Sequence, residues 1–235
     1  MTSSNEGTGN EGTRVTIVGV GPGDNGYLTL KAKQAIEEAD LIAGFQTVLN
    51  VILPFAKNAE LCPMAYRNQE EVLDYAVGKV KEGKSLVVCA WGDLNVSAKE
   101  LLDRVRRRVD HVDLVPGISS VQIAMSRAGI SLEDVVFITL HKRDGVESAL
   151  QELVHYLMDG RRNIILLPSP YELMPAGIAA GVIEDGVPGD RQMTVYQRLT
   201  HDDEQSWSGS VSECAAITTD FSDLSIMIFH RPASD

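Results

Sequence analysis

The chain alternates short uncharged runs with longer amphipathic ones. Val15, Ile17, Val18 and Val20 form a β-branched run, which Gly19, Gly21, Pro22 and Gly23 interrupt. This reads as a buried parallel strand ending in a tight loop. Residues 28–39 follow, with Leu28, Ala32, Ala35, Ile36 and Ala39 on one helical face. A second short strand falls at 41–44, while residues 45–68, with Pro54 and Pro63, resist assignment. Residues 69–82 predict an amphipathic helix with Val72, Leu73, Ala76, Val77 and Val80 inward, ended by Gly83. A third strand at 85–90 runs into Trp91-Gly92-Asp93-Leu94. Ser97 and Glu100 then have the spacing of a capping box ahead of Leu101, Leu102 and Val105. A fourth strand, 111–115, stops at Pro116-Gly117, and Ser119 or Ser120 caps a helix bearing Val121, Ala124, Met125 and Ala128. Four strand–helix alternations in about 115 residues predict a parallel sheet with right-handed crossovers.

The second half has a different rhythm. A strand at 135–140 ends in His141-Lys142-Arg143, and a helix follows at 146–159. Another strand, 163–167, leads through Pro168-Ser169-Pro170 to a helix carrying Leu173, Ile178 and Ala179. Further strands fall at 193–197 and 224–229, with 206–213 between them read as a turn and short surface segment. The expected organisation is a disordered tail over 1–13, with no apolar side chain after Met1, and two α/β domains, 14–116 and 117–235. No internal repeat is visible.

Composition narrows the function classes. Among 235 residues, 33 are acidic and 21 basic, a formal charge of −12, which argues against nucleic acid binding over the whole surface. No apolar run approaches ~18 residues and no signal-peptide pattern occurs, so a soluble, cytoplasmic protein without membrane contact is expected. Cys62, Cys89 and Cys214 are far apart and odd in number, so they read as buried apolar residues rather than disulfides or zinc ligands. The five histidines lack metal-site spacing. His141 ends a strand and stands between ligand contact and structural cap. Arg104, Arg106, Arg107 and Arg108 read as favourable charge at a helix C-terminus.

The loop after the first strand fails as a nucleotide cradle. The sixth position of G-x-G-x-x-G is Asp24, whose carboxylate would repel a pyrophosphate, and Asp40 precedes the second strand instead of ending it. No G-K-[ST] of a P-loop and no G-x-S-x-G nucleophile elbow is present. Several features taken together are more specific. GVGPGD after strand one, LTLKA opening the next helix, Gly92-Asp93 after strand three and PGISSVQIA after strand four resemble the tetrapyrrole (corrin/porphyrin) methylase family. The likeness runs from residue 14 to about 230. Ala128-Gly129, Glu133-Asp134 and Leu140-His141 resemble the branch acting on carbon 5 of the corrin precursor cobalt-precorrin-7.

The resemblance implies two consecutive α/β domains with the active site in the cleft between them, and an S-adenosyl-L-methionine-dependent C-methyltransferase of cobalamin synthesis. It implies cofactor contacts from Gly92, Asp93, Val96, Ser119 and Ser120, completed near Leu167, Tyr196, Ser225 and Ile226. For these last four, sheet packing is the competing role. The substrate would be an anionic macrocycle, met by His141, Lys142 and Arg143, with Arg67 and Arg127 as further cations. Gly21, Pro22, Gly23 and Asp24 would face the tetrapyrrole, the glycines admitting it close to the backbone and Asp24 meeting pyrrole N–H groups. No general base is assigned. A homodimer is implied, and a separate carbon-15 methyltransferase/decarboxylase as a possible partner in the pathway. Two departures stand out: Leu94 replaces the proline of the family's G-D-P, which would loosen that loop, and Lys142 replaces the glycine of H-G-R. The alternatives are methylation of another tetrapyrrole carbon and a non-catalytic cofactor-binding subunit.

Overall fold

The computed structural model describes residues 12–141, 146–169 and 173–233. It divides into two units. One holds the chain up to Val20 and Asn25–Gly117, the other Gly21–Asp24 and the chain from Ile118 onward. The short loop after the first strand thus falls with the second unit, although its sequence position is inside the first.

The first unit is built on five parallel strands: β1 (Arg14–Gly19), β2 (Leu41–Phe45), β3 (Glu60–Met64), β4 (Leu86–Ala90) and β5 (His111–Val115), in the order β3-β2-β4-β1-β5. Helices cover both faces, which is why the central strands carry apolar residues on both sides. Val15 and Ile17 pack with Leu73 and Ala76 of α3 (Gln69–Lys81) and with Leu101, Leu102 and Val105 of α4 (Lys99–Arg106). Val18 and Val20 face the other way. They join Ala32 and Ile36 of α1 (Leu30–Glu37) and Val48, Leu49 and Ile52 of α2 (Gln46–Ile52).

Three local expectations need correction. The stretch 45–68 holds α2 and β3. The helix begins at Phe45 without a side-chain cap, and Pro63 sits in an edge strand, the position where a missing N–H is tolerated. Ser97 is not the N-cap of the next helix: Ala98 is, without a side-chain cap bond. Asp93 turns the chain by accepting from the Asn95 backbone N–H, Ser97 is left-handed at φ +59°, and α4 starts one residue later from Ala98. The arginines at the end of α4 do more than oppose a helix dipole. Arg104 and Arg108 both bind Glu70, and Arg108 Nε lies 2.7 Å from Asp74, tying α4 to α3.

The second unit carries a mixed sheet of β6 (Val135–Thr139), β7 (Asn163–Leu167), β8 (Gln192–Gln197), β9 (Gln205–Ser210) and β10 (Ser225–Phe229), in the order β6-β7-β10-β8-β9. Only β6 and β7 pair in parallel. The helix α5 (Ser120–Ala128) packs on β10, and it is capped by Ser119 in a reciprocal box with Gln122 and ended by left-handed Gly129. Core residues of α6 (Glu147–Asp159) and α7 (Pro175–Glu184) gather around Met227 and Phe229. The segment 206–213, expected as a surface turn, is edge strand β9 followed by α8 (Val211–Ala215), which Ser210 and Glu213 cap reciprocally. Its polar side chains conceal a strand because backbone pairing with β8 supplies the order, and Thr194 and Ser208 hydroxyls meet across it at 3.0 Å.

Cys62, Cys89 and Cys214 are buried free thiols, and burial pushes Cys62 and Cys214 up to about 11. Among the described residues no helix is long and apolar enough to cross a membrane, and no cluster of His, Cys, Asp and Glu is arranged to hold a metal ion. Phe229 is fully enclosed between the strands and helices of the second core. Phe229→Ala is expected to lower the unfolding free energy by about 3–5 kcal/mol in denaturant titration.

Candidate functional site

At the C-terminal ends of the first sheet, three loops touch backbone to backbone. A Cβ on Gly19 would lie 2.5 Å from the Gly92 carbonyl oxygen and 2.8 Å from the Gly117 nitrogen. A Cβ on Gly117 would lie 2.2 Å from the same Gly92 oxygen and 2.6 Å from the Gly19 oxygen. The glycines ending β1, β4 and β5 are therefore spent on one another. Gly92 itself is left-handed at φ +61°, a conformation that suits glycine.

Asp93 seals this junction. Its Oδ2 accepts from the Gly117 backbone N–H at 3.1 Å, and its Oδ1 accepts from the Asn95 backbone and side-chain N–H groups at 2.9 Å. Leu94, in place of the family's proline, is 3% exposed and packs into the core with Ala90 and Leu101. The expected loosening is thus countered by burial below the loop and hydrogen bonds above it. Val96 follows on the same turn, its N–H donating to the Asp93 carbonyl.

In the second unit, the loop Gly21–Asp24 rests on the β8–β9 connection. The Asp24 backbone N–H donates to Thr200 Oγ1 at 3.0 Å. Gly23, at φ +155°, leaves its missing Cβ position to the His201 ring, whose Nε2 lies 2.4 Å from that point. Thr200 is left-handed at φ +68°, and Arg198 at φ +52°. A β-branched residue in that region costs on the order of 1–3 kcal/mol and persists only where its surroundings enforce it. The enforcing group is Glu204, which accepts from the Thr200 backbone N–H at 2.7 Å and from Arg127 Nε at 3.0 Å. Hydrogen bonding from Arg127 holds the Glu204 carboxyl below its usual range. Arg127, expected as a further cation toward substrate, is engaged in this pair. No sequence motif marked Thr200, His201 or Glu204. Strain of this kind depends on backbone angles that residue types do not encode.

The second sheet brings several expected positions to one end. Leu167 closes β7, Ser225 opens β10, and Tyr196 pairs with Ile226 across β8 and β10. His141 follows β6 at the same end, where its ring donates to the Pro168 carbonyl. Leu167 and Ile226 are buried among core residues, and Ser225 donates its hydroxyl to the Ser222 carbonyl, so these side chains are committed to packing and local bonding. Only their backbone groups are left to offer a ligand. Tyr196 is half-buried, and burial raises its phenol pKa. Ser119 spends its hydroxyl as the α5 cap, beside half-buried Ser120. Pro22 is half-buried and Arg67 lies exposed on the surface. Lys142 and Arg143 lie outside the described residues.

Two outcomes follow. Gly117→Ala should reduce unfolding free energy by about 3 kcal/mol, because only backbone movement can relieve its contacts. Gly78→Ala, in α3 with open space around it, should leave stability unchanged or raise it by about 0.5–1 kcal/mol in the same denaturant assay. His141 is exposed, yet partial burial of its ring lowers its pKa, opposed by the Pro168 hydrogen bond. The folded state then binds its proton less readily than the unfolded chain. Its stabilising share is complete above the ordinary value of about 6.5 and is lost as pH falls through it. Urea midpoints measured across that range should fall on acidification, less steeply in His141→Gln.

The family model for tetrapyrrole (corrin/porphyrin) methylases matches residues 14–215. The "probable cobalt-precorrin-7 C(5)-methyltransferase" of Methanocaldococcus jannaschii is 30% identical over 225 residues, covering 92% of this chain and 97% of that protein. The cobalt-precorrin-4 C(11)-methyltransferase of the same organism is 37% identical over 123 residues, 51% of this chain and 48% of its own length. The crystal structure of a precorrin-6Y methylase of cobalamin biosynthesis from Archaeoglobus fulgidus shares the fold. Its TM-score is 0.66 at 23% identity, with 94% of this chain and 100% of that chain covered. By family match and by fold, this chain belongs to the tetrapyrrole (corrin/porphyrin) methylases.

Proposed function

We propose that the protein is the S-adenosyl-L-methionine-dependent methyltransferase acting on carbon 5 of cobalt-precorrin-7 in corrin synthesis. The observation that carries this reading is the likeness to the M. jannaschii C(5)-methyltransferase, which spans nearly the whole of both chains. A methylase of another tetrapyrrole carbon is the second reading, favoured by the 37% identity to the C(11) enzyme over half the chain.

The residues present fit such a methyl donor. The loops at Gly92, Asp93 and Val96 and the start of α5 at Ser119 and Ser120 offer backbone groups, small side chains and one carboxylate. That set suits an amino acid head group and a nucleoside without phosphate. When bound, the donor supplies an electrophilic sulfonium methyl. The remaining task of the chain is placement. An in-line displacement requires the carbon nucleophile about 3–3.5 Å from the methyl and well aligned. A meso carbon conjugated to pyrrole nitrogens is electron-rich, so no activated side chain is needed for attack. Gly21, Pro22, Gly23 and Asp24 would hold the macrocycle, with Asp24 accepting pyrrole N–H groups. His141, Lys142 and Arg143 would bind its carboxylate arms, the arginine by a bidentate pair. Buried Leu94 and the bonded Asp93 support an intact donor loop, against a non-catalytic subunit. The protein would work in the cytoplasm as a homodimer, beside a separate enzyme for carbon 15.

Incubation with methyl-labelled S-adenosyl-L-methionine and each corrin intermediate tests this. Label is expected in cobalt-precorrin-7 or its metal-free form. Turnover of a different intermediate would overturn the carbon-5 assignment, and tight donor binding without any turnover would indicate a binding subunit. Arg143→Ala is expected to raise KM for the tetrapyrrole about tenfold with donor affinity unchanged. Asp93→Ala should do the reverse, weakening the donor in equilibrium binding.

A further inference from the structure

The Gly21–Asp24 loop is held by a side chain whose backbone is itself under constraint. The Asp24 backbone N–H is anchored by the Thr200 hydroxyl at 3.0 Å. Thr200 sits at φ +68°, where a β-branched residue is a poor choice and glycine or asparagine would fit with less strain. The conformation is imposed from outside: Glu204 takes the Thr200 N–H at 2.7 Å, and Arg127 on α5 grips both Glu204 oxygens, at 3.0 and 3.3 Å. The next residue, His201, occupies the space that a side chain on Gly23 would need. A relay thus runs from α5 through Glu204 and Thr200 to the Asp24 backbone, with His201 closing the space at Gly23.

We propose that Thr200 is a positioning residue, fixing the Asp24 backbone through its hydroxyl so that the Asp24 carboxylate is presented to the tetrapyrrole in one orientation. The proposal rests on the reading that this loop faces the macrocycle. Thr200 touches neither the donor nor the reacting carbon in this scheme, so its removal should act on turnover of tetrapyrrole and leave donor binding alone. The strained backbone has a purpose in this arrangement. The left-handed turn brings the hydroxyl under the Asp24 N–H, and a threonine, unlike glycine, carries that hydroxyl.

The test compares Thr200→Val, Thr200→Gly and Thr200→Ser in the full chain. Valine keeps the shape and loses the hydroxyl, glycine removes both strain and hydroxyl, and serine keeps the hydroxyl. Valine and glycine are expected to lower kcat by about tenfold to a hundredfold, with the dissociation constant of S-adenosyl-L-methionine within about twofold of wild type, and serine to stay close to wild type. In parallel, exchange of the Asp24 amide with deuterium should quicken in the valine and glycine variants and remain slow in serine. Wild-type turnover in Thr200→Gly, or equal losses with valine and serine, would overturn the proposal. So would parallel loss of donor affinity, or an Asp24 amide that exchanges alike in all four proteins. If valine destabilises the fold, glycine decides, since it tolerates the same φ. If the wild type methylates no tetrapyrrole, the carbon-5 reading fails on that result, while the exchange comparison still decides whether Thr200 fixes Asp24.

Discussion

Everything at the C-terminal end of the first sheet depends on three backbones being allowed to touch. The strand ends at Gly19, Gly92 and Gly117 approach so closely that a single methyl group on Gly19 or Gly117 would collide with a carbonyl oxygen. Close approach brings the Gly117 N–H within reach of the Asp93 carboxylate, which locks two loops that are 24 residues apart in the chain. The parallel sheet then delivers its loops as one rigid edge, and Leu94 anchors that edge from beneath. Glycine here serves protein–protein contact within one unit, a different use from the ligand access that a Gly-rich loop usually suggests.

The second unit solves a related problem by other means. Its sheet is mostly antiparallel, so side chains and turns rather than crossover loops carry the fine geometry. The β8–β9 connection tolerates two non-glycine residues at positive φ and uses one of them, Thr200, to hold the loop that follows β1. The surface charge follows the same economy. Arg104 and Arg108 are engaged between helices and Arg127 with Glu204, so much of the chain's limited cationic content is bound in structural pairs. The formal charge of −12 is what remains of the sequence's 33 acidic and 21 basic residues.

The regular elements with strong periodicity were legible from residues alone. Val15 to Val20 and the strand before Asp93 announce themselves because burial on both faces leaves few polar residues in them, and the helix of Leu73 and Ala76 does so through its one apolar stripe. Elements whose order comes from a neighbour were not. Strand β9 is Gln, Ser, Trp, Ser, Gly and Ser, and β3 contains Pro63; both are edge strands, stabilised by the partner's backbone. Ser97 and Glu100 have the spacing of a cap, yet Ser97 is left-handed and the N-cap of α4 falls one residue later, on Ala98. Ser119 does cap its helix, through Gln122 three residues on.

The sequence by itself determined the class of fold and the family, since hydrophobic period and glycine placement are local properties that packing obeys. Only the tertiary structure decided how the loops at the strand ends are held. It spends Gly19 on Gly117, gives Asp93 to a backbone N–H, commits Leu167 and Ile226 to the core, and places Thr200, Glu204 and Arg127 in one relay behind Asp24. Each of these depends on groups far apart in the chain meeting within about 3 Å, and hydrogen bonds and steric contacts of that range exist only once the chain has folded.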